Sequence, residues 1–183
     1  MNVRCKGMNE IEAFLNGIKP TLLLAEQQKP FTTMLAYPNA EIHLIPNRRQ
    51  CLFFPTEEKM REWQERTAGI THTTPEFHRE LGLTLGYPPK AVDFYVRRVK
   101  CEQEGRLNEL KRLKLKVVGM HYAGISCNGS GDDIIHNVRW LWDRYRLAEP
   151  LKVRIDTSFI TVDYRDEKVL TGIAEETTVT LVS

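Results

Sequence analysis

The sequence lacks any apolar run of about 18 residues or more, which excludes a predicted membrane-spanning helix. Its first residues, Met1–Gly7, include Arg4 and Lys6 and have no apolar centre, so they do not resemble a secretory signal peptide. We therefore expect a cytoplasmic protein that does not associate with a membrane.

Cysteine is scarce and widely spread, and no Cys-x-x-Cys pair occurs. The four residues are Cys5, Cys51, Cys101 and Cys127. With this wide spacing, a disulfide framework is not expected in a reducing compartment.

The chain also lacks a strong net charge, since its formal value is only +2. Nucleic-acid binding is therefore not expected from composition. The charge is nevertheless uneven: residues 90–116 contain nine Lys/Arg and four Asp/Glu, whereas residues 156–183 contain two and six. Both segments could be solvated surfaces, or they could attract each other within one molecule or a dimer.

What the sequence does have is enough apolar residues for a core. Its 183 residues are 42% hydrophobic and 27% charged, which is typical of one folded domain, with or without an appendage.

The clearest pattern is a helical hairpin in the middle of the chain. Phe77, Leu81 and Leu85 recur every four residues and form one apolar stripe of a helix. Gly86 suits the end of that helix, and Pro88-Pro89 suit the first turn of the next one. The hairpin is predicted to lie in the core.

Two runs resemble signatures of a known family. The run Glu80–Gly82 followed by Leu85–Pro89 is similar to a motif of an uncharacterised, mostly Firmicute family of bacterial proteins, described as a domain of unknown function. Upstream, Gly17–Pro20 (Gly-Ile-Lys-Pro) resembles the N-terminal signature of that family. The resemblance extends over about residues 9–147 and implies a shared fold.

The chain departs from the family pattern at two places. Arg79 directly precedes Glu80, where the family usually has histidine, and here the histidine is His78. The family also usually has glycine near Asp93-Phe94. These departures bear on a shared ligand site more than on a shared fold, and the resemblance implies no activity because none is established for the family.

Helix and strand signals alternate over the rest of the first 149 residues. Pro20 is predicted to open a helix through Leu22–Ala25, and Thr56 to cap another helix. Strands are predicted at Glu41–Pro46, Gln50–Phe54 and Leu115–Tyr122. A strongly amphipathic helix follows from Ile134 to Tyr145, capped by Ser130 or Asp132.

Pro150 marks a change of pattern. Residues 152–164 and 168–182 favour β-strands, with Arg165–Glu167 as the turn between them. We therefore predict a core domain over 1–149 and a C-terminal β-strand extension over 150–183. Its open edge favours a homo-oligomer formed through these strands.

The predicted fold class is α+β, with helices packed on a small, mainly antiparallel sheet and a C-terminal β-hairpin added to it. The most informative stretch for function is the Gly-rich segment 126–133, interpreted as a strand-to-helix loop that is either purely structural or holds a small anionic ligand. The candidate ligand-binding residues are Lys19, His78, Tyr87, Ser126, Asn128, Gly129, Ser130 and Gly131.

The favoured interpretation is a cytoplasmic, non-enzymatic binding or interaction protein. One alternative is a small enzyme with Cys127 as nucleophile and His121 as its base. Against it, the segment lacks the Gly-Lys-Ser/Thr of a P-loop and the arginine of a cysteine phosphatase. The other alternative is a metal site, for which the candidate ligands are His121, Cys127, Asp132, Asp133 and His136.

Overall fold

The computed structural model describes residues 7–179, except the side chains of Glu176, Thr178 and Val179. This part of the chain contains eight α-helices and two antiparallel sheets of three and four strands, which confirms the α+β class. Within it, no helix is both long enough and apolar enough to cross a membrane. Cys5 lies outside the described residues.

The helices are α1 Glu10–Leu15, α2 Phe31–Met34, α3 Glu57–Thr67, α4 Pro75–Thr84, α5 Pro89–Gln103, α6 Leu107–Leu115, α7 Ile134–Tyr145 and α8 Glu167–Val179. The strands are β1 Leu22–Ala25, β2 Asn39–Ile42, β3 Gln50–Phe53, β4 Val117–Tyr122, β5 Ile125–Ser130, β6 Leu151–Ile155 and β7 Ser158–Val162.

The first sheet has the strand order β1-β3-β2 and is covered on both faces. On one face, Leu52 packs in a cluster with Trp63 of α3 and Phe77 of α4. On the other face, Phe53 packs with Phe14 of α1. The central strand β3 is consequently buried along its whole length.

The second sheet has the order β5-β4-β6-β7, and the described residues cover one of its faces. Its inner residues, such as Met120 and Val153, pack with Leu141 of α7 and Leu170 of α8 in the largest cluster of the described residues. A two-residue turn at Ala123-Gly124 joins β4 to β5, with positive φ at both positions, as a type I′ hairpin requires.

The helical hairpin is confirmed as α4 and α5. Gly86 has a φ of +80° at the turn, a backbone conformation that favours glycine. Gly82 lets the two helices approach closely, since a Cβ there would lie 2.8 Å from Cγ2 of Val92. The Tyr145 hydroxyl of α7 donates a 2.6 Å hydrogen bond to the Gly86 carbonyl and ties the turn to the second sheet's helices.

The helix predicted over Leu22–Ala25 is wrong, because this segment is β1 and pairs with β3. Leu22 and Leu24 pack on one cluster while Leu23 packs on the other. A strand buried on both faces shows no polar alternation, so its apolar run gives the same pattern as a buried helix.

The strand predicted over 168–182 is also wrong, because the described part of it forms α8. The Asp166 carboxylate accepts a hydrogen bond from the Val169 N–H at 3.1 Å and caps this helix. Leu170 and Ile173, three residues apart, are buried apolar residues of this helix. Residues 180–182 lie outside the described part of the chain.

The C-terminal hairpin is instead formed by β6 and β7, which together span 151–162, where the sequence predicted one strand over 152–164. β6 pairs with β4, with Met120 opposite Val153, and so occupies an inner position of the second sheet. The division at residue 149 and the homo-oligomer remain predictions; β7 is the edge strand at which a second copy would have to pair.

The basic segment 90–116 does not pair with the acidic tail through the ion pairs of the described residues. Nζ of Lys90 lies 2.9 Å from Oδ1 of Asp133, and Lys116 forms an ion pair with Asp132. In the tail, Glu167 pairs with Arg139 of α7 at 2.8 Å. The two aspartates that the sequence places beside the Gly-rich segment are therefore neutralised by lysines.

Candidate functional site

The segment 126–133 is not a loop. Residues up to Ser130 belong to β5 and pair with β4 throughout, and Gly131–Asp133 form one turn of 3-10 helix before α7. The Ser130 hydroxyl caps that turn by accepting a hydrogen bond from the Asp132 N–H at 3.2 Å. An extended strand of this kind does not curl its backbone N–H groups around an anion.

The glycines of this segment serve packing and not ligand approach. A Cβ on Gly129 would lie 2.8 Å from Nδ2 of the fully buried Asn137, and one on Gly131 would lie 2.9 Å from Cβ of Thr177. Small residues are therefore needed where α7 and α8 press against the end of β5. Gly129, Ser130 and Gly131 do not line a ligand-accessible space together.

The structure does not bring Cys127 and His121 together. Met120 is the residue opposite Cys127, and Ser126 is opposite His121, so the alternation of side chains puts the two on opposite faces of the sheet. Burial raises the pKa of the Cys127 thiol to about 12, and the nearby Lys19 charge offsets this only partly. The thiol is protonated at neutral pH and is a poor nucleophile.

His121 contacts a serine and not the cysteine. Its Nδ1 lies 2.9 Å from Oγ of Ser126 on the outer face of the sheet. Partial burial and the positive charges of Arg154 and Lys152 lower the pKa of His121. The cysteine–histidine enzyme alternative thus has no geometric support.

The metal alternative has no support either. Among the described residues, no group of three or more His, Cys, Asp or Glu side chains converges closely enough to hold an ion. Asp132 and Asp133 are held by their lysine partners instead.

Lys19 is not a solvated anion ligand. It is only 2% exposed, and its Nζ lies 2.8 Å from Oε2 of Glu10 and 5.9 Å from the centre of the Tyr87 ring. This ion pair ties α1 to the joint between Gly17 and β1. A lysine already neutralised by a carboxylate has little attraction left for an anion.

Five of the predicted site residues do meet around one cavity of about 250 Å³, which we call the hairpin cavity. It lies between the α4–α5 hairpin and β5. Its polar and aromatic lining comprises His78, Tyr87, Tyr95, Ser126, Cys127 and Asn128. Its apolar lining includes Leu23, Leu44, Leu81, Leu85, Ala91 and Val92. Lys19, His121, Gly129, Ser130 and Gly131 are not part of this lining.

The wall of the hairpin cavity is uncharged. None of the described residues that line it is Lys, Arg, Asp or Glu. Burial lowers the pKa of His78, which is therefore neutral at pH 7. Burial also raises the pKa of Tyr87, so its phenol stays protonated. A bound molecule would meet neutral hydrogen-bonding groups and hydrocarbon.

Two features leave hydrogen-bonding capacity at the cavity. The Tyr87 side chain is half-buried, and its hydroxyl makes no hydrogen bond with any described residue. In addition, β5 is an edge strand, so the backbone groups on its outer side, beside Ser126 to Asn128, have no strand partner. Groups of this kind can pair with water or with a ligand that enters the cavity.

Sequence reasoning missed the apolar wall and Tyr95. Tyr95 is 44% exposed at the mouth, with its ring 5.5 Å from that of His78 at an angle of 71°. His78 on α4 and Tyr95 on α5 face each other across the hairpin. The helical periods of α4 and α5 could have indicated that these two side chains lie on facing sides. Leu23 and Leu44 could not be found, because their place at the cavity depends on how the first sheet packs on the hairpin.

No family model, curated protein or solved structure matches this chain.

Proposed function

We propose that the protein binds a small, uncharged and largely apolar molecule in the hairpin cavity, without catalysing a reaction on it. The observation that carries this proposal is the convergence of neutral polar groups from α4, α5 and β5 on one apolar cavity. Apolar lining with a few placed polar groups is the usual composition of a small-molecule site.

The volume limits the ligand. A dry cavity of about 150 Å³ in a protein core can hold benzene, and drug-sized sites begin near 300 Å³. At about 250 Å³, the hairpin cavity suits a molecule of one or two rings. A hydroxyl or amide on that molecule would pair with the Tyr87 hydroxyl or with the edge of β5.

The absence of charge in the described lining also favours a neutral ligand over the anion expected from the sequence. Moving an anion into such a cavity would remove its hydration without supplying a cation. The ion pair of Lys19 with Glu10 further reduces the cation available nearby.

Binding of phenol and toluene, measured by calorimetry and by the shift of melting temperature, tests the proposal. Both should bind and raise the melting temperature, because a ligand that binds only the folded state stabilises it. Tyr87→Phe should weaken phenol by about tenfold, the usual worth of one hydrogen bond, and leave toluene unchanged. Tyr37→Phe, which removes a hydroxyl outside the cavity, is the matched control.

A second pair of variants tests the place of binding. Leu44→Trp enlarges a lining residue and should abolish binding of both probes, whereas Leu35→Trp makes the same change at an exposed position outside the cavity. If neither probe binds the wild-type protein, or if both bind Leu44→Trp as well as Leu35→Trp, the cavity is not a ligand site.

A further inference from the structure

The outer face of the second sheet carries two rows of side chains that cross all four strands. Register puts Ser126, His121, Lys152 and Thr161 in one row. It puts Asn128, Gly119, Arg154 and Phe159 in the other. We call these eight residues the polar sheet face. The β6 and β7 members are all exposed to solvent.

The polar sheet face carries cations that the protein does not neutralise. Within the described residues, neither Lys152 nor Arg154 has a carboxylate at ion-pair distance; Arg154 makes only a 3.5 Å contact with Oδ1 of Asn128. The nearest acid on α1, Glu10, is already paired with Lys19. Glu149 is the remaining acid along the cleft at one end of the face.

An exposed aromatic ring lies beside these cations. Phe159 is 59% exposed, and its ring centre is 6.0 Å from that of His121 on the neighbouring row. In the centre of the face, Gly119 has no side chain, and the Arg154 side chain lies over it. The result is an exposed aromatic ring beside two cations that have no carboxylate partner among the described residues and lie roughly 7 Å apart along β6.

We infer that the polar sheet face binds single-stranded nucleic acid, with a base stacked on Phe159 and the flanking phosphates paired with Lys152 and Arg154. Bases stack on exposed aromatic side chains whatever their sequence, while Lys and Arg hold the phosphates. A run of acidic side chains would pair with the cations but has no ring to stack on Phe159. Four strands span roughly 14 Å, room for two or three nucleotides.

The overall charge of +2 does not oppose this inference, since what matters is the local pattern. Few phosphates are bound, so the affinity will be modest and strongly dependent on salt. The site is separate from the hairpin cavity except for Ser126 and Asn128, which lie at the border of both.

Fluorescence anisotropy with a labelled oligouridine of about ten nucleotides at about 50 mM salt tests the inference. Lys152→Ala with Arg154→Ala should weaken binding and make the slope of log K against log salt shallower by about 1.4, or about 0.7 for each phosphate that is no longer neutralised. Phe159→Ala should weaken binding roughly five- to hundredfold at every salt concentration, with the slope unchanged.

Matched controls lie on α6, which packs on α5. Lys111→Ala removes an exposed cation and Leu107→Ala an exposed apolar residue, and both should bind as the wild type does. The inference is overturned if no binding is measurable at this salt, or if the control variants weaken it as much as the sheet variants. It is also overturned if polyglutamate displaces the oligonucleotide equally from wild type and Phe159→Ala, or if sedimentation shows a wild-type dimer that Phe159→Ala converts to a monomer.

Discussion

The two sheets solve the same packing problem in different ways. In the first, helices cover both faces, so that Cys51, Leu52 and Phe53 of β3 are all inaccessible to solvent. In the second, residues 7–179 cover only the inner face, and on β6 Lys152 and Arg154 alternate with the buried Leu151 and Val153.

This difference separates stability from recognition. A strand covered on both sides contributes hydrophobic burial from every residue and presents no side chain to a partner. In a strand covered on one side, half of the residues belong to the core and the other half remain accessible to a partner. Both proposed binding sites accordingly lie on the second sheet or at its border with the helical hairpin.

The largest expected effect comes from removing residues 150–183. Without β6, strand β4 has one neighbour fewer, and Val118 and Met120 are deprived of the core partners Val153 and Leu170. We expect the fragment 1–149 to show no cooperative melting in circular dichroism. Cooperative melting with native near-ultraviolet dichroism would instead establish the predicted division of the chain at residue 149.

One substitution made in both sheets compares them directly. Phe53→Ala should cost about 3–5 kcal/mol of unfolding free energy, as truncation of a buried Phe does. Phe159→Ala, on the exposed face, should change the unfolding free energy by no more than about 0.5 kcal/mol. Urea denaturation measures both, and equal losses would mean that the outer face is also covered.

A smaller effect is expected where β5 meets the helices. Gly129→Val should destabilise the protein by about 1–3 kcal/mol, because the side chain would collide with Asn137. Gly172→Ala on α8 meets nothing within 4 Å and should stabilise it by about 0.5–1 kcal/mol. A melting temperature unchanged by Gly129→Val would favour the loop interpretation of this segment.

The smallest effect concerns pH. Burial lowers the pKa of His72 at the first sheet and of His121 at the second, so the unfolded chain takes up these protons first. Stability should therefore fall as pH drops below about 6.5, the unfolded value, and level off below the folded pKa. Nδ1 of His72 accepts the His43 N–H at 2.9 Å, a bond that protonation breaks.

His72→Gln and His121→Gln should each flatten the dependence of unfolding free energy on pH. Nuclear magnetic resonance titration of the two imidazoles gives the shifts directly. A pKa at or above the ordinary value for His72 or His121 would contradict the expected contribution of that histidine to the pH dependence of stability.

The parts of the fold that sequence predicts well are those with a one-sided pattern. The α4–α5 hairpin has an apolar stripe, a glycine at the turn and prolines at the second start, so Leu81 and Gly86 lie where the pattern predicts them. β4 and α7 likewise agree with the predictions from Leu115–Tyr122 and Ile134–Tyr145.

The errors have a common physical cause, which is that tertiary contacts overrode local pattern. Leu22–Ala25 has no polar alternation because both its faces are buried, and in residues 167–179 the β-branched residues conceal a helical period. Glycines 129 and 131 indicated a loop, but they are explained by the nearness of Asn137 and Thr177.

Sequence predicted some residues of the candidate site but not how they come together, because their meeting depends on tertiary contacts. His78, Tyr87 and Ser126–Asn128 stand out by local motifs and do line the hairpin cavity. That they line one cavity follows only from the packing of α5 on β5. The sequence predicted an anionic ligand, but the cavity offers no cation to bind it, because Lys19 is paired with Glu10.

The inner position of β6 has a consequence for synthesis of the chain. β4 and β5 are neighbours in sequence and can pair as soon as both have left the ribosome, but the other edge of β4 stays open until β6 follows α7. During that interval the nascent chain exposes an unpaired strand beside apolar residues, which is the kind of surface that promotes aggregation and engages chaperones. Translation of residues 134–150 thus sets how long this chain remains vulnerable.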